Sequence, residues 1–171
     1  MISKKMTESL NQQVNGEIYS AYLYLSMAAY AANIGLNGFA HWFNVQVKEE
    51  LIHAEKFYNY IIQQGGRARL LSVAEPPHDF SSAADLFQQT LKHEKGVTKN
   101  INALTSQANK ENDHATAAFL QWFVTEQVEE EANAAEILQK LNLVGKDGNG
   151  LLLIDSQLAT RVFVPPVAPA A

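Results

Sequence analysis

Glu17, Glu50, Glu94 and Glu130 fall in the middle of four apolar seams, and Glu50 has a histidine, His53, three residues on. Spacings that alternate four and three give Leu10, Val14, Glu17, Ala21, Tyr24 and Ala28 in the first segment, and Phe39, Phe43, Gln46, Glu50, His53, Phe57 and Tyr60 in the second. The third reads Ala84, Phe87, Leu91, Glu94, Thr98 and Ile101, and the fourth Thr116, Leu120, Phe123, Gln127, Glu130, Ala134, Ile137 and Leu141. This is the pattern of helices that bury one stripe against one another in a bundle. Carboxylates there are costly unless positive charge sits among them. No Lys or Arg occupies any of these seam positions. Two divalent cations would balance four ionised carboxylates; without them the groups must protonate or repel. Oxygen-rich ligation with one imidazole suits iron or manganese, with zinc as a competitor, and disfavours copper(I).

The neighbours of these residues leave alternatives open. Glu126 and Glu129 lie beside Glu130, as Glu49 lies beside Glu50; they bind further cations at the edge of the core or simply face solvent. Gln127, one turn before Glu130, orients a ligand or holds a bound dioxygen species, or is an ordinary buried amide. Tyr24, two turns after Glu17, hydrogen-bonds a ligand or supplies an electron, or is a core aromatic. Trp42, Trp122, Phe119 and Phe123 read as core or interface aromatics. His41, His78, His93 and His114 have no carboxylate at ligand spacing on a seam face and stay outside the candidate site. Gly16 and Gly96, each within two residues of a seam glutamate, cost about 1 kcal/mol apiece in a helix; close backbone packing near the metals is the one reason that offers itself.

The elements that must position these groups follow from the prolines, which lie only at 76, 77, 165, 166 and 169 and leave long helices permitted on either side. The first helix is expected from Lys4 to Asn33, stopping near Gly35. The second starts behind Asn37 as N-cap and ends at Gly65-Gly66. Residues 66–80, with Pro76-Pro77, are too long for a tight turn and read as a crossover along a bundle. Ser82 with Asp85 resembles a capping box and opens a third helix to Lys110. Asp113 caps a fourth that ends near Leu143, with Gly145 behind it. After a break at Gly148-Asn149-Gly150, residues Leu151 to Thr160 form a short fifth helix, apolar around too much of its circumference for a lone surface element, which suggests a subunit contact. Each site glutamate is mid-helix, so the four meet at one level whichever way each helix runs.

The chain has 171 residues and a net charge of −5, enough for one domain and unsuited to nucleic acid as main partner. Cysteine is absent, which excludes disulfides and thiolate metal sites. Neither a secretory signal nor a run of roughly 20 apolar residues is visible, so no membrane association and a cytoplasmic location are expected. The expected division is a bundle domain over 1–160 and a Pro/Ala-rich tail over 161–171, extended or mobile and without an assigned role.

With Asn15-Gly16-Glu17-Ile18-Tyr19, Glu49-Glu50-Leu51-Ile52-His53, Lys92-His93-Glu94 and the run from Phe119 to Glu131 in view, the chain resembles a bacterial non-haem ferritin over about residues 1–160. The resemblance implies an all-α, ferritin-like four-helix bundle with one long crossover and a short fifth C-terminal helix. It implies a ferroxidase that oxidises Fe(II) with dioxygen or hydrogen peroxide and stores ferric mineral in a shell of twenty-four subunits. Residue by residue, Glu17, Glu50 and His53 would bind the first iron. Glu50, Glu94 and Glu130 would bind the second, with Glu50 bridging. Glu49, Glu126, Glu129 and Glu130 would form a third site. Tyr24 and Gln127 match supporting positions. Haem is not expected, because the place of the haem-ligating methionine of bacterioferritins is Leu51, and their second Glu-x-x-His pair is absent at Glu130. Two rivals remain: a di-iron carboxylate oxidase that stores nothing, and a non-enzymatic metal buffer. Glu111 and Asp113 are candidates for an iron entry pore.

Overall fold

A computed structural model describes residues 2–165. Five helices follow one another: α1 (Lys4–Asn33), α2 (Asn37–Gln63), α3 (Ala83–Lys110), α4 (His114–Val144) and α5 (Gly148–Leu158). No helix among the described residues is long and apolar enough to cross a membrane. The tail from residue 166 onward lies outside the described residues, and with it most of the segment expected to be extended or mobile.

Helices α1 and α2 form one antiparallel pair and α3 and α4 the other. The start of α1 meets the end of α3 through Ser9 Oγ donating to Gln107 Oε1 at 3.0 Å. The end of α2 meets the start of α4 through the Tyr60 and Thr116 hydroxyls at 2.9 Å. So α2 and α3 run the same way, which only a connection spanning the bundle permits. That crossover is pinned along α1. Asn11 donates to the Arg67 carbonyl at 3.0 Å and accepts from the Arg69 amide at 2.6 Å. Fifteen residues later, or about 22 Å along the helix, Ser26 Oγ donates to the Pro77 carbonyl at 2.7 Å.

The seam periodicity holds on α1, α2 and α4, while on α3 Ala84, Leu91 and Thr98 are only half-buried and Ala83, Leu86, Thr90 and Val97 are buried beside Phe87, Glu94 and Ile101. The buried residues of α4 are Thr116, Leu120, Phe123, Gln127, Glu130, Ala134, Ile137 and Leu141, the same set that the spacing picks out. Two apolar clusters result. One is built on Tyr24, Met27, Phe39, Phe43 and Phe87; the other on Leu10, Val14, Phe57, Ile101, Leu120 and Phe123. The glutamate layer lies between them.

Helix ends depart from the sequence expectation in instructive ways. Asn37 is the first residue of α2 and not its cap; the preceding Leu36 makes no side-chain cap bond. The free Phe39 amide donates instead to Asp155 Oδ1 of α5 at 3.0 Å. A partner distant in sequence supplies the acceptor, so no local cap is needed. Asp85 does reach back, but to the Ser81 amide at 2.8 Å, while Ser82 Oγ accepts from the Asp85 amide at 3.1 Å. The expected break at Gly148-Asn149-Gly150 is the first turn of α5, because Asp147 accepts from the Asn149 and Gly150 amides, each at 3.1 Å. That cap offsets the helix cost of the glycines.

Helix α5 buries Ile154 and Leu158 in the first cluster and leaves Leu152 and Leu153 exposed on the single chain. Its seat requires Gly38, where a Cβ would stand 1.7 Å from the Asp155 carbonyl oxygen. Gly38→Ala is therefore expected to push α5 off α2 and to destabilise by about 1–3 kcal/mol or more, against about 1 kcal/mol for Asp155→Ala, which removes only a cap. Thermal melting of both variants checks this, and an unchanged Tm for Gly38→Ala would contradict the packing described. Gly16 and Gly96 are different: nothing lies within 4 Å of where their Cβ would sit, so close packing inside the subunit does not account for them.

Candidate metal centre

The four seam glutamates converge as a polar layer. Glu17, Glu50, Glu94 and Glu130 are all at most 5% exposed, and His53 is 2% exposed. One carboxylate oxygen each from Glu17 and Glu50 and one ring nitrogen of His53 lie within 4.8 Å of one another, a spacing that a single cation can span. His53 Nδ1 is 3.4 Å from Glu50 Oε2, as the i, i+3 relation on α2 requires.

The other two carboxylates are held by neutral donors. The Tyr24 hydroxyl donates to Glu94 Oε1. Gln127 Nε2 reaches Glu94 Oε2 at 3.1 Å, the Glu94 carbonyl at 3.2 Å and Thr98 Oγ1 at 3.3 Å. Gln46 Nε2 donates to Glu130 Oε2 at 2.9 Å, and Gln13 Nε2 to Glu17 Oε1 at 2.8 Å. Four carboxylates thus meet three amides, a phenol and an imidazole. Among the described residues no Lys or Arg forms an ion pair with any of the four.

Electrostatics follow from that donor set. Burial, then the neighbouring Glu50 charge, holds Glu17 well above the usual carboxylate range. Glu50 is raised in the same direction by burial and by Glu94 and Glu130. Glu130 is pushed up to about 8 by burial, then by Glu94 and Glu49. Burial and the facing carboxylates likewise raise Tyr24, which stays a phenol that can donate. Each shift has one physical meaning: the full set of negative charges is unfavourable until a cation joins it. Among the described residues four buried side-chain atoms have no hydrogen-bond partner, Asn15 Oδ1, Glu17 Oε2, Gln46 Oε1 and His53 Nε2, and Glu17 and His53 are candidate ligands. Orphaned acceptors and a free imidazole nitrogen in a carboxylate cage are donors to a hard or borderline cation.

The third candidate group is only partly gathered. Glu126 is half-buried, with Oε1 at 3.9 Å from the orphaned His53 Nε2. Glu49 pairs with Arg161 at 2.6 Å. Glu129 is exposed, and no hydrogen bond or ion pair among the described residues holds it. Away from the centre, Asp113 is committed to capping α4 through the Thr116 amide at 3.0 Å, and Glu111 accepts from Ser3 at 2.6 Å and Gln107 at 2.9 Å.

Some participants escape the seam reading. Gln13 lies off the first seam as drawn, yet it donates to Glu17. The signal for it was a repeat: Gln13, Gln46 and Gln127 each stand one turn before a core glutamate. His93, on another face from Glu94, bonds Ser20 Oγ at 2.8 Å and sets its ring against Tyr24, so it helps place that tyrosine. Trp122 packs edge-on to His53 at 5.4 Å between ring centres, with the Lys56 ammonium 3.9 Å over its own ring.

Comparison with known proteins gives this arrangement a family. A ferritin-like domain model matches residues 7–144. The chain is 42% identical to the bacterial non-heme ferritin of Staphylococcus aureus strain MRSA252 over 163 residues, covering 95% of this chain and 98% of that one. This chain belongs to the ferritin family. The same holds in three dimensions. A closed form of the Archaeoglobus fulgidus ferritin, engineered by mutagenesis, superposes with a TM-score of 0.95 at 51% identity, covering 96% of this chain and all of the other. The open-pore ferritin of the same archaeon gives 0.94 at 51% identity over 95% of this chain. The all-α bundle with its crossover and fifth helix is thus the ferritin fold, and the seam of this ferritin carries its carboxylate layer.

Proposed function

We propose that this ferritin oxidises Fe(II) to Fe(III) inside each subunit and stores the product as ferric mineral in a hollow, cytoplasmic shell of twenty-four copies. The observation that carries the reading is the buried cage of Glu17, Glu50, His53, Glu94 and Glu130, with Glu17 Oε2 and His53 Nε2 left without partners. Glu17, Glu50 and His53 take one ferrous ion; Glu50, Glu94 and Glu130 take the second, with Glu50 between them. The −4 of the carboxylates balances two Fe(II) and attracts two Fe(III) more strongly, which favours oxidation. The two ions give up two electrons, and dioxygen takes them with two protons to leave as hydrogen peroxide. Peroxide serves as the oxidant in its turn. Burial and like charge raise the pKa of Glu17, Glu50 and Glu130, so entry of the ions displaces protons from this layer.

Around this core, Gln127 and Tyr24 fix Glu94, Gln46 fixes Glu130, and Gln13 fixes Glu17. Each supports a ligand's orientation without adding charge. Glu49, Glu126 and Glu129, with Glu130, hold a third ion on the way out of the core. Leu152 and Leu153 of α5, exposed on the single chain, are covered by neighbouring copies in the shell. Haem has no part.

Adding about two ferrous ions per subunit to metal-free protein in oxygenated buffer should give a fast ferric absorbance, and Glu130→Ala should lose it. Sizing should give a particle about twenty-four times the 18.9 kDa chain mass. A particle near one or two chain masses would overturn storage; a slow signal equal in both proteins would overturn the ferroxidase.

A further inference from the structure

Arg161, three residues past the end of α5, is held by three residues of α2. Its Nη2 donates to Glu49 Oε2 at 2.6 Å. Its guanidinium lies 4.5 Å from the centre of the Trp42 ring, and Nη1 reaches the Trp42 carbonyl at 3.5 Å. Its own carbonyl accepts from His41 Nε2 at 2.7 Å. Trp42 and Glu49 are seven residues apart and so share a face of α2 two turns apart, which a stretched arginine bridges. The side chains of Arg161 and Glu49 are 20% and 16% exposed, so solvent screens this pair only in part.

The pair stands in a meaningful place. Glu49 belongs to the acidic group beside the core: it feels the charge of Glu126, and its own charge acts on Glu130. On the core side of that group the buried His53 Nε2 has no hydrogen-bond partner and faces Glu126. A cation at the third position would draw on Glu49, yet one of its oxygens already carries a charge-assisted bond to a protein cation. The guanidinium cannot give up its charge to make way; it can only move aside.

We propose that Arg161 is a resident cation which the third metal ion must displace from Glu49, so that the arginine weakens the third position relative to the core pair. In the metal-free state it neutralises one carboxylate of the acidic group. When iron arrives, the Arg161 side chain swings off Glu49 and keeps its place on Trp42. An ion in the third position is therefore held weakly enough to move on. This inference rests on the ferroxidase reading and adds to it a residue outside the ligand set that sets the order of filling.

The test uses Zn(II), which cannot be oxidised, titrated into the metal-free shell by calorimetry. The wild type should bind two ions tightly and a third more weakly. Arg161→Gln should tighten the third by about tenfold, the size expected for removing a competing hydrogen bond to a charged group, and leave the first two unchanged. Arg161→Lys, which keeps the charge, should stay nearer the wild type. Glu49→Gln should lose the third ion whether or not Arg161 is present. A third-ion affinity that is unchanged or weaker in Arg161→Gln, or no third ion there at all, would overturn the proposal. Failure of the wild type to bind the first two ions would overturn the ferroxidase reading itself and this inference with it.

Discussion

Glu50→Ala should slow the fast phase of Fe(II) oxidation by at least about a hundredfold, since even outer-shell partners of a metal site are worth about 10–100-fold. Glu50 is the one carboxylate that both candidate ions would share. Its Oε2 sits 3.4 Å from His53 Nδ1, it lies with Glu17 and His53 within the span of one cation, and it feels the charges of Glu94 and Glu130. Removing it takes a ligand from each ion at once. A substitution elsewhere in the cage takes only one.

The same position should behave in the opposite way in a stability measurement. Burial, then the charges of Glu94 and Glu130, raise the Glu50 pKa, so its neutral form suits the fold better than its charged one. Glu50→Gln keeps the volume and has no charge to desolvate. The metal-free variant should therefore melt at or above the wild type near neutral pH, while its iron oxidation is as poor as that of Glu50→Ala. That split separates a metal ligand from a structural residue: a glutamate kept for the fold would lose stability on replacement. Stopped-flow absorbance and thermal melting on the same preparations decide it. A fast ferric phase surviving in Glu50→Ala, or a marked drop in Tm for Glu50→Gln, would count against the role assigned here.

How much of this was legible in the residues depends on the range over which each feature is decided. The seams are local and periodic, so α4 could be read residue by residue, and the mid-helix placement of Glu17, Glu50, Glu94 and Glu130 brought all four to one level. The long crossover was legible as well, because prolines and length exclude a tight turn. What escaped was decided by partners far along the chain. Asn37 looked like a cap because it is a good one, but Asp155, over a hundred residues later, supplies the acceptor. Gly148 to Gly150 looked like a break because glycine is a poor helix former, yet Asp147 caps the turn. Gln13 was hidden off the seam, and His93 reaches Ser20 and Tyr24 from a face that the seam reading discards. Arg161 carries no pattern at all: in sequence it is the first residue of a tail, and only the return of the chain over α2 sets it on Glu49.

The metal-free protein should lose stability from the carboxylate layer as pH rises from about 5 to about 8, and divalent metal should reverse the loss. The sign follows from Glu130, whose carboxyl lies near 4.5 in an unfolded chain and is pushed up to about 8 in the fold. Between those values the folded protein holds a proton that the unfolded chain has released. Stability from this group is therefore full below the unfolded pKa, falls through the window, and is lowest above about 8. Glu17 and Glu50 are raised in the same direction and steepen the slope. Asp85 opposes them: hydrogen bonds from Ser81 and Gln89 lower its pKa, so its contribution is lost on acidification, below the window in question. Melting the metal-free protein at about pH 5.5 and about pH 8.5 should give the lower Tm at the higher pH, with a flatter dependence in Glu130→Gln. Zn(II) should raise the Tm most at the higher pH, where Glu130 no longer has a proton to give up; at a hundred times its Kd one bound ion adds about 2.7 kcal/mol. Below about pH 8 its binding should also release protons, measurable with an indicator dye in weak buffer. A metal-free Tm that climbs steadily across this range, with no proton release on adding Zn(II), would mean that the four carboxylates are already compensated in the fold and do not await a cation.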